Sequence, residues 1–187
     1  MGVDVVTPMD RVLNAVSFKE GDRVPFFLSL ATLGAREARM PIMEYFRKPQ
    51  RIAETQLRMQ ERFGYDLLYS ATYASNHYEA FGGNLVVYED SAPGSGPPII
   101  HDWRDIAVLK APRIADCRCF QSDLEAIRLM RARVGTDIPI VGFAVGPASL
   151  PIQQLGFESY LGLIQEAPDL WRHLLAVNEA MVREWIA

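Results

Sequence analysis

The 187 residues, 49% of them hydrophobic, suffice for one domain with a sizeable core, which excludes a disordered polypeptide. Nineteen Lys and Arg stand against twenty-three Asp and Glu, a net charge of −4, and the basic residues are scattered, leaving no patch for a nucleic-acid backbone or an anionic membrane surface. No apolar run approaches the roughly 20 residues that cross a bilayer, and Met1 to Pro8 lack the pattern of a secretion signal, so a soluble cytoplasmic protein is expected.

Thr7 followed by Pro8 has the chemistry of a helix start, and Met9, Val12, Leu13 and Val16 fall on one face of a helix ending before Gly21. Val24 to Leu30 is a continuous apolar run of strand length, as expected for a strand covered on both sides. Pro49 opens a helix whose residues Ile52, Gln56, Met59 and Phe63 share a face, and Gly64 ends it. Asp66 to Thr72 repeats the buried-strand pattern, followed by the polar cluster Ser75, Asn76, His77.

Leu85 to Tyr88 and Pro98 to His101 flank a Pro- and Gly-rich loop, which predicts a small β-hairpin. Ser122 with Glu125 predicts a capping box opening a helix that stops at Gly135. Ile138 to Val145 is the third predicted strand, and Gly146 and Pro147 end it and start another helix. From Pro168 onward Leu170, Trp171, Leu174, Leu175, Met181, Val182, Trp185 and Ile186 recur at helical spacing, a packing stripe.

An N-terminal helix followed by strands alternating with helices predicts an α/β fold with parallel strands, about half of a (β/α)8 TIM barrel carrying a small hairpin insertion. Residues 1–187 are expected to be one domain whose open sheet border is completed either by further chain or by a second subunit.

"RVLNAVSFKEGDRVP", from Arg11 to Pro25, resembles the opening segment of the uroporphyrinogen decarboxylase superfamily. "ERFGYDLLY", from Glu61 to Tyr69, "AFGGNLVVYED", "DIPIVGFAVGPASL", from Asp137 to Leu150, and "APDLWRHLLAVNEAMVREWIA" are similar to successive segments of its N-terminal half. The resemblance implies a TIM-barrel enzyme of one of two chemistries. One is decarboxylation of uroporphyrinogen without a cofactor. The other is methyl transfer between a corrinoid, such as methylcobalamin on a corrinoid protein or free, and a thiol or tetrahydrofolate acceptor.

The decarboxylase branch carries an Arg-x-x-x-Arg segment after the first strand and an aspartate at the end of the second. Here "LATLGAREARM" displaces and respaces Arg36 and Arg39, and "YSATYASNHYEAFG" places Thr72 or Tyr73 where the acid would sit. A neutral residue there cannot stabilise positive charge on a pyrrole ring. The resemblance therefore favours the methyltransferase branch, with the decarboxylase and a non-catalytic half-barrel assembly subunit as alternatives. Zinc, where that branch uses it to activate a thiol, is held by ligands of the C-terminal half, so no metal site is expected in this chain.

Barrel enzymes carry their active sites on the loops after the strands, which selects Ser29 to Thr32, Thr72 to His77 and Gly146 to Leu150. Tyr73 and His77 are the candidate catalytic pair, able to relay a proton, unless they cap the next helix or face solvent. Thr72 and Asn76 are candidate substrate contacts, and Gly146 with Pro147 either lets backbone approach a ligand or is ordinary turn chemistry. Arg36 and Arg39 hold a carboxylate or phosphate, or are simply solvated.

His101 and His173 read as structural. Cys117 and Cys119, one residue apart, suit neither a mutual disulfide nor a zinc site, His101 lying sixteen residues from the nearer cysteine, and read as incidental.

Overall fold

The structure, a computed structural model, describes residues 6–187. Residues 1–5, on which the expectation about a leader partly rests, lie outside the described residues. In chain order the elements are α1 (Pro8–Val16), α2 (Ala31–Ala38), α3 (Ile42–Phe46), α4 (Pro49–Phe63), β1 (Leu68–Tyr69), α5 (Asn76–Ala80), β2 (Leu85–Val86), β3 (Gly94–Ser95), two 3-10 turns (Trp103–Val108 and Ile114–Asp116), α6 (Arg118–Val134), β4 (Ile140–Val141), α7 (Leu150–Leu155), α8 (Phe157–Glu166) and α9 (Pro168–Ile186). They form two compact units, each built from two stretches of chain. Unit 1 holds the described residues up to Thr72 with Ser122–Gly142, and unit 2 holds Tyr73–Gln121 with Phe143–Ala187.

Unit 1 is organised on the parallel pair β1 and β4, in register Leu68 with Ile140 and Tyr69 with Val141. Leu68 N–H and Ser70 N–H donate to Pro139 O and Val141 O, extending the ladder on either side. Ala53 of α4, Leu68 and Met130 of α6 form a buried cluster joined by Leu57, Ile127, Val134, Ile138 and Ile140, so the apolar faces of α4 and α6 cover the pair. Gly64 closes α4 with φ of 66°, a left-handed position suited to glycine. Thr7 caps α1 through a reciprocal capping box with Asp10, and Pro8 stands in the first turn.

On its inner face α1 carries Arg11. Its guanidinium donates to Asp22 at 2.7 and 2.6 Å and to Asp66 at 2.6 Å. Arg23 forks onto the same Asp66 carboxylate at 2.6 and 2.8 Å. Met9 N–H donates to Asp137 O at 2.8 Å, so α1 is tied to the N-terminal approaches of both strands.

The expected strand from Val24 to Leu30 is not formed. Asp66 N–H donates to Phe26 O, but Phe26 N–H goes to the Asp66 side chain at 2.9 Å and Pro25 has no N–H, so the bonds of a ladder are diverted. Val24, Phe26 and Phe27 are consequently exposed rather than covered. The stretch bearing Arg36 and Arg39 is helical. α2 ends with Arg39 in a left-handed cap, and α3 follows at once. Gly34 sits inside α2 because a Cβ there would overlap the buried Tyr45 hydroxyl.

Ser122 does not cap α6, which begins at Arg118. The Ser122 hydroxyl donates instead to Phe46 O at 2.9 Å.

Unit 2 packs α7, α8, α9 and the first 3-10 turn around Ile100, Ile106, Leu155, Tyr160, Leu163 and Leu174, with Trp103 and Trp171 against them. Gln154 and Asn178, both fully buried, exchange amide hydrogen bonds at 3.0 Å, each satisfying the other. The hairpin forms, but its return strand is β3, pairing Leu85 with Ser95 and Val86 with Gly94, and not Pro98 to His101.

Candidate functional site

At the C-terminal end of β1 the chain makes a buried, strained turn. Ala71 has φ of 60° and is fully buried, a conformation that costs an L-residue about 1–2 kcal/mol. Hydrogen bonds on both sides hold it. Thr72 Oγ1 donates to Asp123 Oδ2 at 3.0 Å, which makes Ser70 Oγ the donor in its 2.8 Å contact with Thr72 Oγ1. Tyr69 OH donates to Thr72 O at 3.0 Å, and burial followed by the Asp123 charge pushes the Tyr69 phenol up from its ordinary value. Asp123 itself is 1% exposed. Unit 1 thus places Thr72 in a cluster of hydroxyls around a carboxylate from α6.

The next residues belong to unit 2 and are buried, not solvent-facing: Tyr73 is 4% exposed and Asn76 and His77 are inaccessible. The Tyr73 hydroxyl donates to Glu79 Oε2. Val145 N–H donates to His77 Nε2 at 3.3 Å, so the ring proton sits on Nδ1, which donates to Asn76 Oδ1 at 2.5 Å. Burial pushes the imidazole down to about 4, which keeps it neutral. Its ring stands edge-on to Phe120 at 5.0 Å, and Phe120 packs on Trp185 at 4.5 Å, whose indole N–H donates to Phe143 O.

The structure therefore brings Tyr73, Asn76 and His77 into one unit with the end of the third predicted strand. Gly146 follows Val145 directly, is exposed, and its carbonyl accepts from Ser149 and Leu150 N–H to start α7. Arg36 lies exposed on α2 in unit 1, and among the described residues no hydrogen bond joins it to the Thr72 cluster. His101 and His173 are both exposed.

The sequence reading missed Glu79 and Asp123. Each is an acid in a helical polar stretch, and only tertiary folding brings it to Tyr73 or Thr72. Cys119 reaches Asn76 O at 3.6 Å, while burial and then the charges of Asp116, Glu184 and Glu79 push the Cys117 thiol up and make it less reactive. Among the described residues no group of three or more His, Cys, Asp or Glu is placed to hold a metal ion.

Residues 7–187 match the family uroporphyrinogen decarboxylase (URO-D). The chain belongs to this family. Uroporphyrinogen decarboxylases of Bordetella parapertussis and Bordetella bronchiseptica are each 26% identical to it over 103 residues, 52% of this chain and 29% of theirs. The uroporphyrinogen decarboxylase of Verminephrobacter eiseniae is 27% identical over 101 residues, 51% of this chain and 27% of its own.

A solved methyltransferase from Methanosarcina mazei shares the fold with a TM-score of 0.74 at 20% identity, over 94% of this chain and 53% of that one. The chain thus spans about half the length of that structure, and its matches span under a third of the decarboxylases. The URO-D fold is a TIM barrel, and the parallel β1–β4 pair with its covering helices is part of one. Among the described residues no helix is long and apolar enough to cross a membrane.

Proposed function

We propose that this URO-D family chain is part of a methyltransferase that moves a methyl group between a corrinoid substrate and a small acceptor, a thiol or tetrahydrofolate. The observation that carries this reading is that the segment after β1 has no acid at Thr72 or Tyr73, whose hydroxyls instead donate to Asp123 and Glu79. The fold shared with a methyltransferase supports it. Transfer is a direct displacement: the acceptor's lone pair forms the bond to the methyl carbon as the carbon–cobalt bond breaks, and that electron pair stays with cobalt. The protein's task is then to align acceptor and donor.

In unit 2, Tyr73 and Asn76 are the polar side chains assigned to ligand contact, with Gly146 next to Val145, whose N–H donates to His77 Nε2. His77, neutral and engaged at both nitrogens, holds Asn76 against the end of the third predicted strand. Further chain or a second subunit would supply the rest of the barrel, and the donor would be either a corrinoid protein or free methylcobalamin.

Incubating the purified protein with methylcobalamin and either coenzyme M or tetrahydrofolate should bleach the methylcobalamin spectrum and yield methylated acceptor. No binding and no demethylation with either acceptor overturns the proposal. A second reading, decarboxylation of uroporphyrinogen, is favoured by the Asp123 carboxylate lying 3.0 Å from Thr72 Oγ1 and by the decarboxylases among the relatives. Release of carbon dioxide from uroporphyrinogen, with product chromatography, decides for it.

A further inference from the structure

We infer that unit 2 binds a flat, uncharged heterocycle at the foot of the β2–β3 hairpin, one that carries a hydrogen-bond donor beside an acceptor on one edge. Nucleobases and pterins share that chemistry. The inference does not rest on methyl transfer. A cavity of about 440 Å³ opens there, lined by Tyr78, Phe81, Asn84, residues 97–99 and His101, all of unit 2. Its volume falls in the range of roughly 300–1,000 Å³ usual for small-molecule sites.

The walls of the cavity are fixed. Tyr78 is fully buried, and its ring lies so close to Gly83 that an added Cβ there would fall 2.2 Å from Cε1. The Tyr78 hydroxyl donates to Pro97 O at 2.6 Å. Gly96 N–H donates to Asn84 O at 2.9 Å, an approach that leaves no room for a Cβ on Gly96. The turn before β2 and the stretch after β3 are thus held against each other by a ring and a backbone bond. Ile99 and Ile100 N–H both donate to Gln154 O, at 2.9 and 3.0 Å, which anchors the end of that stretch on α7. A ligand entering this cavity does not have to order its walls, and that preorganisation favours binding.

The lining sets the chemistry of the ligand. It includes no Lys, Arg, Asp or Glu to pair with a charged group, so the ligand is uncharged. Phe81, Pro97, Pro98 and Ile99 supply aromatic and apolar surface suited to the face of a ring. Asn84 and His101 are exposed, and among the described residues neither side chain has a hydrogen-bond partner. A carboxamide offers N–H and C=O side by side, which complements a lactam or an aminopyrimidine edge in a two-point pair. The imidazole adds a further donor and acceptor. A purely apolar ligand would gain nothing from either group.

Isothermal titration calorimetry of the unmodified protein with guanosine, adenosine and 6-hydroxymethylpterin tests this. Purine riboside, the two-ring base of adenosine without its amino group, is the comparison. At least one of the first three should bind at one site per chain, and purine riboside at least about tenfold more weakly. N84L should weaken the bound ring by about tenfold or more, and H101A by about threefold. Binding of a nucleoside alone identifies the ring as a nucleobase, and binding of the pterin alone identifies it as a pterin.

No binding of any of the three at millimolar concentration overturns the inference. So does purine riboside binding as tightly as they do, or an affinity unaltered in N84L. Asn84 is exposed and its side chain unpaired, so N84L should keep the circular dichroism spectrum of the parent. If it does not, the comparison with purine riboside on the unmodified protein decides. No methylcobalamin is present in these titrations, so their failure leaves methyl transfer standing, and the failure of methyl transfer leaves this site standing.

Discussion

Arg11 Nη1 donates to Asp66 Oδ1 at 2.6 Å in the interior of unit 1, where their side chains are 9% and 1% exposed. Burial alone would raise the Asp66 carboxyl. The hydrogen bonds from Arg23, Phe26 N–H and Arg11 outweigh it and hold the group below the usual carboxylate range. Asp66→Asn leaves two guanidinium groups with a neutral amide and should destabilise the protein by about 3–5 kcal/mol, read from the midpoint of a urea transition at neutral pH. Because the folded value is depressed, this contribution is present above the unfolded value near 3.8 and is lost as pH falls through the folded one.

His77 acts in a higher pH window. Its imidazole falls from 6.5 to about 4 on folding, so the unfolded chain binds more protons between those values. Stability should be complete above pH 6.5 and decline toward pH 4 by on the order of 3 kcal/mol. His77→Gln should flatten that slope in urea titrations between pH 4 and 7. A slope identical to the parent's would show that the imidazole is not buried neutral.

Gly34→Ala drives a methyl group into the Tyr45 hydroxyl inside unit 1. The expected loss is about 1–3 kcal/mol in thermal unfolding. Tyr45→Phe in the same chain removes the nearer of the two overlapping atoms, leaving the ring carbon Cζ, and should restore only part of it, a coupling that independent sites would not show.

Ala71→Gly should keep or raise stability by up to about 1 kcal/mol, because release of the left-handed strain exceeds the added freedom of the unfolded chain. Ala71→Val should do the reverse. A clear fall in melting temperature for the glycine variant would mean that the buried methyl group outweighs the strain.

Helices marked by end chemistry were legible in the sequence: Thr7 and Pro8 open α1, Pro49 and Gly64 bracket α4, and the apolar spacing after Pro168 runs the length of α9. Failures came where tertiary contacts overrule local pattern. Val24 to Leu30 has the composition of a buried strand, yet Asp66 takes the N–H that a neighbouring strand would need. Gly34 is required inside α2 by the close approach of Tyr45, which the local sequence pattern does not show.

At the candidate site, the loop after β1 followed from the position of the strand. Neither the carboxylate on Tyr73 nor that on Thr72 could be seen, because Asp123 lies fifty-one residues from its partner and Glu79 shares a helix with ordinary polar neighbours.

The ties from α1 to Asp66 and to the carbonyl of Asp137 make that helix a floor beneath the strand pair. Shortened versions that begin after Arg11 would leave an enclosed aspartate short of one guanidinium and a strand approach without its lid, so trimming from the front is a poor route to a smaller stable fragment.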